Sequence, residues 1–181
     1  MSYALTQKVL PLIPFTEHWT TIYAPMNPKD ERSNGKNDRF FEIESIANIA
    51  NLAKSLKTCK SPFVAMETSI GGDITSRSIV PEYNIYFFVE GDQRLVTNGG
   101  TDTEAKSEAL YHATAFVNYI AEMQTRYEDE GNPLLGGIDV DNIHFETFGP
   151  IMNRWFCVGL AIRDLNARSR CIVESDYISD L

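Results

Sequence analysis

The most constraining stretch of this chain is the run Trp155-Phe156-Cys157-Val158-Gly159-Leu160-Ala161-Ile162. Alternation along an extended strand puts Phe156, Val158, Leu160 and Ile162 on one face and Trp155, Cys157, Gly159 and Ala161 on the other. Neither face is polar. A strand of this kind belongs in the middle of a sheet with apolar cover on both sides. Two sources for the second cover are open: the chain's own terminal segments, or a second subunit.

Upstream, residues 101–127 carry the strongest helix signal. Thr101 followed by Glu104 fits a capping box, and Asp102 and Glu104 suit the positive end of the helix dipole. Ala105, Ala109, Ala113, Phe116, Val117, Ile120, Met123 and Tyr127 then recur at helical spacing. The stripe is small at its start and bulky at its end, which suits close approach to a sheet near Ala109. Gly131-Asn132-Pro133 and Gly136-Gly137 break the helix, and two apolar runs joined by Phe148-Gly149-Pro150-Ile151-Met152-Asn153 read as a hairpin.

The earlier part of the chain supplies the rest of the layers. Pro11 and Pro14 limit residues 3–15 to a short helix or an extended arm. Trp19-Thr20-Thr21-Ile22-Tyr23 is β-branched and aromatic and reads as an edge strand ending at Pro25. Residues 27–39 contain no apolar side chain and form a surface loop, either solvated or long enough to touch a neighbour. Phe41, Ile43, Ile46, Ala47, Ile49, Ala50, Ala53 and Leu56 mark a second helix capped by Asp38 and ending near Thr58. Residues 62–68 and 83–89 read as paired strands, with 73–82 as the long loop between them.

This order predicts an α+β domain: an antiparallel-rich mixed sheet of about four to five strands, two main helices packed on one face, and extended terminal arms. With 181 residues, 43% of them hydrophobic, the chain suits one domain over residues 1–164 and a C-terminal arm over 165–181. One sheet face is then more apolar than water tolerates, and assembly is the simplest remedy.

Charge and motifs narrow the function. A net charge of -9 argues against nucleic acid as the main partner, because phosphate binding needs a basic surface. Cys59, Cys157 and Cys171 are too few and too dispersed for a zinc site or a disulfide framework, and read as reduced thiols. No secretory signal follows Met1 and no apolar run reaches the roughly 20 residues of a membrane span, so a soluble intracellular product is expected. Asp139-Val140-Asp141-Asn142 resembles the start of a calcium loop but lacks the later glycine and glutamate, which leaves a turn. Gly71-Gly72 and Gly99-Gly100 lack the spacing of a phosphate cradle and read as turn residues.

His18, His112 and His144 do not form a metal-ligand set, and His112 reads as a satisfied residue at the margin of the helix stripe. Glu67 and Glu146, on neighbouring strands, could serve as acid and base if a pocket joined them to His144. No catalytic residue, cofactor site or metal site is assigned. Two readings of another class stay open beside assembly: a small cytosolic enzyme, and a ligand-binding or adaptor module.

The element order, with Gly149-Pro150 and Trp155-Phe156-Cys157-Val158-Gly159-Leu160 at the final hairpin, resembles the tail-terminator and neck proteins that complete the head–tail junction of tailed bacteriophages. That resemblance spans residues 19–163. It implies a non-enzymatic virion protein, present in host cytoplasm during assembly, that forms a hexameric or dodecameric ring on a portal, connector or tail tube. It further implies inter-subunit contacts at Lys29, Asp30, Glu31, Arg32, Trp155, Arg168, Arg170 and Tyr177, with neither a membrane nor a specific nucleic-acid sequence as partner. An acidic lumen would let DNA slide without sticking.

Overall fold

A computed structural model describes residues 12–26, 38–47, 59–69, 71–74, 79–92, 94–95, 102–128, 135 and 137–165. In chain order these form helix α1 (Leu12–Ile22), strands β1 (Phe40–Ile43), β2 (Phe63–Glu67), β3 (Gly71–Ile74) and β4 (Ile79–Glu90), and helix α2 (Thr103–Glu128). A 3-10 turn at Val140–Asn142 leads into β5 (His144–Ile151) and β6 (Trp155–Arg163). The fold is α+β, with a six-stranded sheet in the order β1-β2-β4-β6-β5 and β3 paired to the far end of β4. Among the described strands β1 and β2 pair parallel and the other pairs are antiparallel.

β4 and β6 form the spine, paired without interruption from Glu82↔Arg163 to Glu90↔Trp155. Their alternation sorts the core into two clusters. Tyr83, Ile85, Phe87, Val89, Phe156, Val158, Leu160 and Ile162 face the helices, where Leu12, Trp19, Ala109, Ala113, Phe116 and Ile120 cover them. On the opposite side Tyr86, Phe88, Trp155 and Cys157 pack with Ile43, Cys59, Phe63 and Ala65. The two-faced reading of residues 155–162 is borne out.

The bare second face is not. Phe63, Phe88, Trp155 and Cys157 are each at most 1% exposed in the single chain. Part of their cover is Ile46 and Cys59, from the connection between β1 and β2, a source that neither the terminal segments nor a second subunit supplies. Burying such groups stabilises each by about 1.5–3 kcal/mol, so the monomer has no unmet demand on that side.

Five local expectations change. Residues 19–23 are not an edge strand: α1 continues through Trp19 to Ile22, because Leu12, Thr16, Trp19 and Thr20 fall on one buried face. Pro14 sits in the first turn, where its missing N–H has no partner to lose. Thr16 Oγ1 donates to Leu12 O at 2.6 Å, and Trp19 stacks on Tyr23 at 4.4 Å and meets Phe87 and Phe116 edge-on. Packing overrides the β-propensity of the segment. The second main helix on the sheet is thus α1.

Residues 40–43 likewise do not begin a helix. They form β1, with Phe40 facing the helices and Ile43 the opposite cluster. Of the proposed 41–56 helix, Ile46 and Ala47 form part of a 3-10 turn and residues 48–58 lie outside the described set. Residues 73–82 are largely a hairpin of their own, since β3 pairs with β4 from Gly71↔Glu82 to Ile74↔Ile79. Gly71 and Gly72 are therefore strand residues, and a Cβ on Gly72 (φ 138°) would lie 2.1 Å from Val80 O.

Asp102 caps α2; Thr101, expected in that role, lies outside the described residues. Asp102 Oδ1 accepts from Ala105 N at 3.0 Å and Oδ2 from Asp92 N at 2.6 Å. Those backbone donors hold its carboxyl below the usual aspartate range. The helix stripe is buried as expected at Ala105, Ala109, Ala113, Phe116, Ile120 and Met123.

Candidate functional site

The acid–base candidates share one sheet face but are not on neighbouring strands, because Glu67 is on β2 and Glu146 on β5 with β4 and β6 between them. They do not make a site. Glu67, at the end of β2, is buried, and its Oε1 accepts from Ile46 N at 2.6 Å and Tyr86 Oη at 3.1 Å. Its Oε2 accepts from Asn84 Nδ2 at 3.0 Å. Burial, then the adjacent Glu67 carboxylate, pushes the Tyr86 hydroxyl far up, so it stays a donor. This carboxylate fastens the segment after β1 to β4. Glu146 and His144 are exposed, with Nε2 of His144 3.9 Å from Oε1 of Glu146.

The thiols are no better placed. Burial raises Cys157 to about 12 and Cys59 to about 11, which keeps both protonated at neutral pH and therefore poor nucleophiles. Among the described residues no group of three His, Cys, Asp or Glu side chains could hold a metal ion. Asp139 forms the expected turn: its Oδ1 accepts from Asp141 N and its Oδ2 from Asn142 Nδ2 at 2.7 Å. Among the described residues no helix is long and apolar enough to cross a membrane.

His112 differs from its expected place at the margin of the helix stripe. It is 3% exposed, with Nδ1 3.0 Å from Tyr23 Oη and Nε2 buried without a hydrogen bond, Glu108 Oε1 standing 3.5 Å away. Burial pulls its pKa down, against the partial opposition of Glu108, and raises Tyr23 to about 12. The contact joins the end of α1 to α2. Its signal was in the sequence, because position 112 fits the spacing of Ala105, Ala109 and Phe116.

The surface that stands out is the sheet edge formed by β5. From His144 to Thr147 every residue is exposed, and Phe145 is 50% exposed. Beside it β6 is buried almost throughout. The hairpin closes through Met152 (φ 54°) and Asn153 (φ 53°), with Arg154 N donating to Ile151 O at 3.2 Å, the geometry of a type I′ turn. Arg154 Nε reaches Glu90 Oε1 at 2.8 Å, and its guanidinium lies 4.7 Å from the Trp155 ring centroid.

β5 is interrupted once. The register against β6 slips between Phe148 and Ile151, where Gly149 takes φ 124° and a Cβ on it would lie 2.8 Å from Phe156 Cδ1. Pro150 has no N–H to offer. A bulge and a proline are devices that stop a strand from pairing further, and they leave 144–148 as the regular part of the edge.

Of the expected contact residues only Trp155 is described, and it is 1% exposed, so its ring offers no surface in the single chain. Lys29, Asp30, Glu31, Arg32, Arg168, Arg170 and Tyr177 lie outside the described residues. The edge at 144–148 was missed, although Pro150 within an apolar run was a sign that β5 lies at a margin. Comparison with protein-family models and with curated proteins returns no match.

Proposed function

We propose that this chain is a non-enzymatic structural protein of a tailed-bacteriophage virion that assembles into a ring at the head–tail junction or tail end. The observation that carries the reading is the exposed edge strand β5 on a domain whose two sheet faces are already closed. The drive to associate then comes from the margin of the described sheet, since an edge strand presents backbone N–H and C=O groups to a further strand. The reading also rests on the resemblance of the final hairpin, Gly149-Pro150 with Trp155-Phe156-Cys157-Val158-Gly159-Leu160, to tail-terminator and neck proteins.

Charge supports the same reading. The exposed face of α2 carries Glu104, Glu108 and Glu122. Together with the net charge of -9, this suits a channel that repels DNA passing through it. Native mass spectrometry and negative-stain electron microscopy of the full chain test the proposal. Closed rings of six or twelve copies are expected, and antibodies to the chain should mark the head–tail junction or tail end of the virion. A lone 20.4 kDa chain at every accessible concentration, with no labelled virions, rejects it.

A further inference from the structure

An edge strand can be completed only in the registers its residues allow, and for β5 these can be enumerated. Its Cα partners on β6 fix the faces: Phe145 and Thr147 lie opposite Leu160 and Val158 on the helix side, while His144, Glu146 and Phe148 lie opposite Ala161, Gly159 and Cys157 on the other. Two copies of β5 related by a two-fold axis pair antiparallel. Matching faces then requires the axis to pass through a residue, not between two.

Five axes are conceivable, one through each residue of 144–148. An axis at Phe148 sets Thr147 against Gly149 and Glu146 against Pro150, inside the bulge. An axis at Thr147 sets Glu146 and Phe145 against Phe148 and Gly149, and His144 against Pro150, where the bulge and the missing N–H break the ladder. One at His144 draws in Asn142, which belongs to the 3-10 turn and is not extended. One at Glu146 lays two Glu146 carboxylates directly opposite each other, which is destabilising. The axis at Phe145 has none of these faults. It stacks the two half-exposed Phe145 rings as a cross-strand pair and sets each His144 opposite Glu146 of the second copy, twice over. Thr147 then faces Ile143, which is already extended (φ -76°, ψ 121°).

We propose that β5 is a self-association edge on which a second copy of this chain adds its own β5, antiparallel, about a two-fold axis through Phe145. The contact joins two six-stranded sheets into one and covers an edge strand whose residues are exposed or only partly buried. It stands apart from the virion reading, since it needs only the strand and its register. A ring built through it has dihedral symmetry, because the contact is isologous.

Cysteine trapping reads the register directly. Under a mild oxidant the Phe145→Cys variant should form a covalent dimer on a non-reducing gel, because each position 145 meets its own copy. All three variants are made in a Cys171→Ser chain, whose remaining native thiols, Cys59 and Cys157, are buried; there Glu146→Cys and Thr147→Cys should stay monomeric. Phe145→Lys, which sets two like charges opposite each other, should raise the dimer dissociation constant roughly tenfold or more, with an unchanged unfolding midpoint at concentrations where the parent is monomeric.

No covalent dimer from Phe145→Cys, or equal cross-linking from Glu146→Cys, overturns the proposal. So does a parent chain that never dimerises. A cross-linked dimer without rings on the grid leaves this contact standing and removes only the ring.

Discussion

β5 and β6 are adjacent strands of one hairpin, yet the molecule treats them oppositely. β6 is buried on both faces except near its end, whereas every residue of β5 is exposed or only partly buried. The strands share a register from His144↔Ala161 to Phe148↔Cys157, so backbone pairing does not separate them. Position does: β6 has β4 on its other side and cover above and below, while β5 overhangs the helix layer. Apolar content on both faces therefore measured depth within the sheet and not a need for company.

The strongest way to break the contrast is a matched pair of truncations. Trp155→Ala should cost about 3–5 kcal/mol, because a fully buried ring packed edge-on to Phe63 at 5.0 Å leaves a cavity. Urea unfolding with a shared slope measures it. A cost below about 1 kcal/mol would mean that the second face is loosely packed and that the contrast is superficial.

Next in size is the fastening at Glu67. Glu67→Gln replaces one acceptor oxygen by an N–H₂ that must face a donor, whether Ile46 N, Tyr86 Oη or Asn84 Nδ2. A loss of about 1–3 kcal/mol is expected, as for a buried polar group left unsatisfied. Equal stability of the variant and parent would show that the segment after β1 does not depend on this carboxylate.

A third test uses pH. Burial lowers the pKa of His112 below its ordinary 6.5, so between that lowered value and 6.5 the unfolded chain holds a proton that the folded chain refuses. Stability is full above 6.5 and falls as pH drops through the window, by at most about 1.4 kcal/mol per unit. Replacing His112 by Gln should flatten the thermal unfolding curve against pH in that window. An unchanged slope would show that other groups, such as the carboxyl of Asp102, set the acid limit.

How far the sequence reached follows from the physics of each segment. The spacing of Ala105, Ala109, Phe116 and Ile120 depends only on helix geometry, and α2 was legible within a residue or two. The alternation in residues 155–162 was equally local. Residues 19–23 and 40–43 were misread because their composition suits either state, and only contacts distant in sequence decide, such as Trp19 against Phe87 and Phe40 beside Val64. The β5 edge was hidden for a related reason: Phe145 and Phe148 look like core residues until the order of the described strands places β5 at the margin of the sheet.

The smallest expected effect is the sharpest probe of that order. Phe145→Ala removes a ring that is 50% exposed and lies against Leu160, so unfolding free energy should move by no more than about 0.5 kcal/mol. The same truncation one strand inward, Phe156→Ala, removes a fully buried ring and belongs with Trp155→Ala. Both are phenylalanines in one hairpin, so propensity and turn geometry cancel and burial alone separates them. The comparison is best made at a protein concentration low enough that self-association adds nothing to either midpoint. A large loss from Phe145→Ala under those conditions would mean that β5 is held by the body of the domain, and the edge would cease to be a free surface.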